Sequence, residues 1–111
     1  MATIEFPQFA AVEMRVGRVI DVKDFPRARK PAYQLWIDFG NHGIRKSSAQ
    51  ITSHYERSDL LGRLVVAVTN FPPRQIADFM SEVLILGAAD ESGGIVLLNL
   101  DRNVPLGTII S

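Results

Sequence analysis

The residues that could do chemistry fall into three kinds: hydroxyl, imidazole and guanidinium groups. Ser47 and Ser48 stand side by side, Gln50 follows, and His54 comes a few residues later. A serine beside a histidine can make a nucleophile and its base, but no pattern here supplies an orienting third group or an oxyanion hole. Such hydroxyls bond strand or helix-cap amides instead. The chain has no glycine-rich phosphate loop, no His-Glu-x-x-His and no nucleophile elbow. His42 and His54 lack a metal-ligand spacing, and there is no cysteine. No catalytic residue, cofactor or metal is expected, and the chain reads as a non-enzyme.

The guanidinium groups say more. In "TNFPPRQIADFMSEVLIL", Arg74 stands directly behind Pro72 and Pro73. Proline fixes φ, so the stem is stiff and a cation is presented at low entropic cost to a carboxylate or phosphate. Asp78 and Glu82 are the alternative partners within the chain. Ser81-Glu82 opens the next apolar run, where such residues satisfy local backbone groups. From Arg15 to Lys46, eight basic residues face three acidic ones, so this window is +5 and the rest −5 in a chain of zero formal charge. That permits scattered solvated charge or one basic face for a polyanion or acidic peptide. The neutral total argues against a dedicated nucleic-acid binder. Tyr33 and Trp36, three apart, point to opposite sides of a strand, one into the core and one toward a ligand or partner.

These residues need elements to position them. "MRVGRVIDVKDF" alternates as a long first strand, with Gly17 suggesting a bulge or coil. "FPRARKP" is a loop, "AYQLWIDFG" a strand ending at Gly40, "NHG" a turn and "IRKSSAQI" the returning strand. "TSHYERSDLLG" reads as a short helical turn capped by Thr52 or Ser53 and closed by Gly62. "RLVVAVTNF" and "SEVLILGAA" are strands separated by the Pro-Pro loop. "DESGG" is a turn, "IVLLNL" a short strand and "VPLGTII" an extended end. Five strands, with a helix between the third and fourth, describe an all-β OB-fold barrel with N- and C-terminal extensions; an open sandwich is the alternative. Its ligand face would be Tyr33–Phe39 and Ile44–Gln50. A chain of 111 residues, 47% hydrophobic, is expected to form one domain over 1–111. The N-terminal residues lack the basic cluster and apolar core of a signal peptide, no run approaches about 18 apolar residues, and a cytoplasmic setting is expected.

"MRVGRVIDVKDFPRARKPAYQLWIDFG" and "LLGRLVVAVTNFPPRQIADFMSEVLILGA" resemble the tRNA-binding domain family, which includes the C-terminal domain of many methionyl-tRNA synthetases. The likeness covers about Glu13 to Ala88. "FPRARKPAYQLWIDFG", "GIRKSSAQIT" and "NFPPRQIADFMSEVLILG" are most similar to a branch of the family that serves in bacterial protein export. The resemblance implies a cytoplasmic OB-fold homodimer acting as an ATP-independent chaperone for unfolded or precursor polypeptides, linked to Sec export, with SecA as a candidate partner. Peptide or tRNA would bind Arg27, Lys30, Trp36, Ser47, Ser48, Gln50, Asn70, Phe71, Arg74, Phe79, Ser81, Glu82 and Leu84. Phe71, Phe79 and Trp36 would line an apolar groove, with Arg74, Arg27 and Lys30 at its rim. Ile4, Phe6, Phe9, Val104, Ile109 and Ile110 would form the dimer contact. In tRNA-binding members the loop lysine, and the serine and methionine of Ser-x-Gly-Met, look like RNA-contacting positions. Lys30 and Ser81 match, but Val83 and Leu84 replace the glycine and methionine, and Arg29 the loop aspartate. Polypeptide is therefore the expected ligand and tRNA the alternative.

Overall fold

The structure, a computed structural model, describes residues 1–111. β1 (Met14–Asp24) is the frame. Its first half pairs with β4 (Leu64–Val68) and its second half with β2 (Tyr33–Asp38). β2 pairs in turn with β3 (Ile44–Ala49), and β4 with β7 (Leu84–Ile85). The antiparallel order β3-β2-β1-β4-β7, with α2 (Arg57–Leu60) between β3 and β4, is the expected OB-fold barrel. The sandwich alternative falls, because the five strands share one interior. β2 shows why: Tyr33, Leu35 and Ile37 are buried while Gln34, Trp36 and Asp38 are half-buried outside. The inward set joins Phe39, Val19, Val65, Ala67 and others in a core of twelve buried residues. Leu60 of α2 closes it and is fully buried. Each such side chain contributes about 1.5–3 kcal/mol through apolar burial.

Two local expectations need correction. The bulge in β1 lies at Ile20, where pairing passes from Val19↔Ile37 to Asp21↔Trp36. Gly17 pairs regularly with Val65; it is glycine because a Cβ there would lie 2.5 Å from Ile37 and 2.7 Å from Phe39. The helix α2 is capped by Glu56 rather than Thr52 or Ser53. The Glu56 amide donates to Asp59 Oδ2 at 2.8 Å, an acid reaching back from the helix's third residue.

The apolar run after the prolines is also not one strand. It breaks into β6 (Phe79–Ser81), β7 and β8 (Gly87–Ala89). Arg74–Ile76, expected as loop, is a strand, β5, in a hairpin with β6. β8 pairs with β9 (Ile95–Leu97) across the Asp90 turn. A short helix, α1 (Phe6–Ala10), precedes the barrel with Pro7 in its first turn and buries no residue. At the other end, Thr108 to Ile110 lies along β1 beyond the reach of β2. The Val16 amide donates to the Thr108 carbonyl at 3.0 Å and the Ile110 amide to that of Met14 at 2.8 Å. No helix is long and apolar enough to cross a membrane.

Candidate ligand-binding site

The site is built on the seam where the barrel closes. β3 has no full strand partner on its free side. The Glu82 amide donates to the Lys46 carbonyl at 2.8 Å, and the Lys46 amide donates back to Glu82 Oε1 at 3.0 Å. The Ser48 amide donates to Ser81 Oγ at 3.0 Å. Two side chains thus complete a ladder that backbone would normally make. Ser81 and Glu82 are ligand candidates in the sequence; their side chains here hold β3.

The hairpin β5–β6 folds over the outside of β2. Phe79 is buried there, 5.9 Å from Trp36 and 5.5 Å from Phe25, both edge-on. With Ala32 these rings form a second, smaller core, and Ala28, Trp36 and Ile76 pack against it. Trp36 and Tyr33 do face opposite sides of β2, Tyr33 inward. The expected groove lined by Trp36 and Phe79 is filled, however, because these two pack on each other. Lys23 Nζ lies 5.0 Å over the Trp36 ring and Lys46 Nζ 5.1 Å over Phe79.

Two hollows flank the hairpin. One is a cleft of about 800 Å³ that brings together Arg27, Arg29, Lys30, Ser48, Gln50 and Arg74, floored by Ala32 and Ile76. It has no acidic lining residue. Arg27 bonds Asp78 at 3.0 Å, both well exposed, a pair worth no more than about 1 kcal/mol. Arg29, Lys30 and Arg74 take part in none of the protein's ion pairs, so neither Asp78 nor Glu82 holds Arg74. The other is a groove of about 370 Å³, lined by Phe71, Pro72, Ile76, Val83 and Leu84 together with Ser81 and Glu82. Phe71 and Leu84 are each 49% exposed. Ser48, Arg74 and Ile76 line both hollows, so the two adjoin.

Other predicted residues lie elsewhere. Ser47 is 1% exposed inside the barrel and donates to the Ser48 carbonyl, so it cannot meet a ligand on the outer face. Asn70 is a tether: its Oδ1 accepts from the Glu13 amide at 2.9 Å, and its Nδ2 donates to the Ala11 carbonyl at 2.8 Å. The +5 window is not one face. Arg27, Arg29 and Lys30 reach the cleft, Lys23 and Lys46 cover the aromatic pair, and Arg15 and Arg45 line a separate pocket. Sequence reasoning missed Gln75 and Ile76, since β5 carries no alternation long enough to reveal it. Neither Ser47 nor Ser48 bonds His54, which contacts Asp90 at 2.7 Å. The Ser92 hydroxyl, at 2.7 Å, and then His54 hold the Asp90 carboxyl below its usual range. No group of three histidines or acids is placed to hold a metal ion.

The terminal candidates present apolar surface. Ile4 and Phe6 are 66% and 73% exposed, Val104 and Ile109 are exposed, and Phe9 and Ile110 are half-buried.

A family model described as "putative tRNA binding domain" matches residues 14–109, almost the whole barrel. The chain belongs to this family. Among its curated relatives, the methionine–tRNA ligase of Thermococcus onnurineus is 36% identical over 107 residues, 96% of this chain. That match takes in 14% of the ligase, so this chain spans a small part of the enzyme's length. Among solved structures, the chaperone CsaA of Bacillus anthracis is 47% identical with a TM-score of 0.93, over 99% of this chain and all of that one. The CsaA chaperone protein of Picrophilus torridus is 45% identical with a TM-score of 0.91, over 98% of this chain and all of that one. The likeness thus runs the full length of the two CsaA chaperone chains but takes in only one part of the ligase.

Proposed function

We propose that this chain is an ATP-independent, non-enzymatic chaperone that holds unfolded or precursor polypeptides for Sec-type export. It works in the cytoplasm as one domain over 1–111, paired into a homodimer. The observation that carries this reading is the joining of an apolar groove to a cationic cleft across Arg74 and Ile76. An unfolded segment offers apolar side chains beside polar backbone and charge, and these adjoining hollows suit both. Phe71 and Leu84 take the apolar groups. Arg27, Lys30 and Arg74 draw acidic groups to the rim and speed encounter, while Ser48 and Gln50 offer hydrogen bonds. Binding the unfolded client lowers its free concentration and slows aggregation by mass action. Likeness to CsaA chaperones over the whole chain supports the same reading. The apolar residues of α1 and the C-terminal segment support the homodimer, since that much exposed apolar surface marks a contact. SecA is the partner that the resemblance implies.

A second reading has its own support. Four cations without an acid in the cleft suit a tRNA phosphate backbone. Two measurements on one preparation separate the readings: aggregation of a denatured client protein, and a tRNA gel shift across salt. The chaperone reading expects client protection that changes little with salt and falls in Phe71→Ser and Leu84→Ser with the fold intact. Tight tRNA binding that drops log-linearly with salt, without client protection, would sink it. Sedimentation should give twice the 12.3 kDa chain mass; a single-chain mass removes the homodimer.

A further inference from the structure

One end of the barrel carries charge where small barrels keep apolar side chains. Arg15 pairs with Ala67 across β1 and β4, and paired residues share a side of the sheet, so Arg15 points inward with that core residue. Along β3, Arg45 is two residues from buried Ser47 and four from core-packed Ala49, so it also points inward. With Glu13, Phe39, His42 and Thr69, the two arginines enclose a pocket of about 150 Å³ at the barrel mouth. The Arg15 side chain is only 17% exposed.

The donors there are partly used. Arg15 donates to the Gly107 carbonyl at 2.8 Å and to Glu13 Oε1 at 3.0 Å, and Arg45 to the Thr69 carbonyl at 3.3 Å. A guanidinium has five N–H donors, so most of those on Arg45 and more than half on Arg15 have no protein partner. The nitrogens without any partner, Arg15 Nε and Arg45 Nε and Nη1, are not sealed from solvent, since the buried unpartnered side-chain atom of the chain is Arg63 Nε. Two guanidinium groups face one carboxylate, Glu13, which leaves the pocket positive. The exposed His42 ring adds a further donor from the β2–β3 turn.

We propose that this barrel-mouth pocket binds a single phosphate group, apart from the cleft beside β5–β6. A planar carboxylate is satisfied by one guanidinium fork, whereas a tetrahedral phosphate takes donors from several directions. Here they come from β1, β3 and the β2–β3 turn. The pocket is large enough for one small oxyanion with water and too small for a nucleobase beside it. Arg15 also holds the Gly107 carbonyl, so a phosphate shared by Arg15 and Arg45 ties the C-terminal segment to β3. Free inorganic phosphate and the terminal phosphate of a nucleic-acid chain offer the same chemistry.

The test is titration of the full chain with inorganic phosphate at fixed ionic strength, read by calorimetry and phosphorus NMR. The expected result is one saturable site per chain. Binding weakens about tenfold or more in Arg45→Gln, the scale of a lost charge-assisted bond, weakens by a smaller factor in His42→Gln, and is unchanged in Arg74→Gln. His42 lies exposed on a turn, so that variant carries the comparison should Arg45→Gln unfold. Non-saturable or absent binding overturns the proposal, as does equal loss in Arg74→Gln or wild-type binding in His42→Gln. A short RNA with a terminal phosphate, set against one with a terminal hydroxyl, tells the sources apart. An Arg45-dependent preference for the phosphorylated RNA assigns the site to chain ends, and its absence assigns the site to free phosphate.

Discussion

The two sides of β2 are built on different principles. Inward, Leu35 and Ile37 belong to a core of twelve buried residues drawn from four strands, α2 and the segments between them. Outward, Trp36 meets Phe79 in a cluster with three buried residues, supplied by a loop and a hairpin. The inner side is a scaffold that many contacts over-determine. The outer side is a wall that rests on one ring and on the Ser81 and Glu82 bonds. Binding surfaces of this fold lie on the second kind of structure and are positioned by the first. The contrast predicts that the hairpin wall opens at lower free-energy cost than the inner sheet.

The largest expected effect tests the scaffold. Leu35→Ala should cost about 2–5 kcal/mol in denaturant unfolding, enough to threaten a domain of ordinary stability. Phe79→Ala should fall at the low end of the range for a buried phenylalanine, about 3 kcal/mol, because the cluster around it is small and can collapse. Its mark should be local: amide exchange in Arg74–Ser81 speeds up while β1 and β2 keep their protection. Equal loss of protection in β1 would break the contrast between the two sides. Glu82→Ala should cost roughly 1–2 kcal/mol by leaving the Lys46 amide without its partner, and Ser81→Ala about 1 kcal/mol. Thermal melts of the two singles and the double would show whether the seam acts as one unit.

The smallest effect concerns the Asp90 turn. Asp90 has a folded pKa below its unfolded one, so its contribution is present at and above the ordinary carboxylate range and is lost as pH falls through the lowered value. Ser92→Ala removes the main cause. The acid decline in stability should then become shallower, with the Asp90 carboxyl titrating at higher pH by NMR. An unchanged Asp90 titration would refute this account of the turn.

Much of the scaffold was legible because alternation encodes it. Tyr33 to Ile37 shows its inner and outer faces directly, and the strand order with one helix leads to the barrel. The same alternation separates Ser47, facing in, from Ser48, facing out, but a list of hydroxyls does not. Charge summed along Arg15 to Lys46 misled for that reason: inward Arg15 and Arg45 and outward Lys23 and Lys46 sit in one window yet point apart. The wall was illegible for another cause. Its hairpin turns at Ala77-Asp78, where Ala77 takes φ 53° without the glycine that signals such a turn. Without the hairpin nothing in the sequence says that Phe79 covers Trp36. The family resemblance marked Asn70, Ser81 and Glu82 as important positions, but it could not say that their polar groups are taken up by backbone.

Asn70 carries a consequence of its own. One amide group grips Ala11 and Glu13, at the exit from α1, and the next residue is Phe71 on the groove wall. Thr69 holds the same segment, its amide and hydroxyl both donating to the Glu13 carbonyl, so two adjacent residues tie the exit of the apolar helix to the start of the groove wall. If α1 pairs subunits and Phe71 takes client, as proposed above, linkage makes any coupling across this tether symmetric in free energy, so each event would tune the other by the same factor.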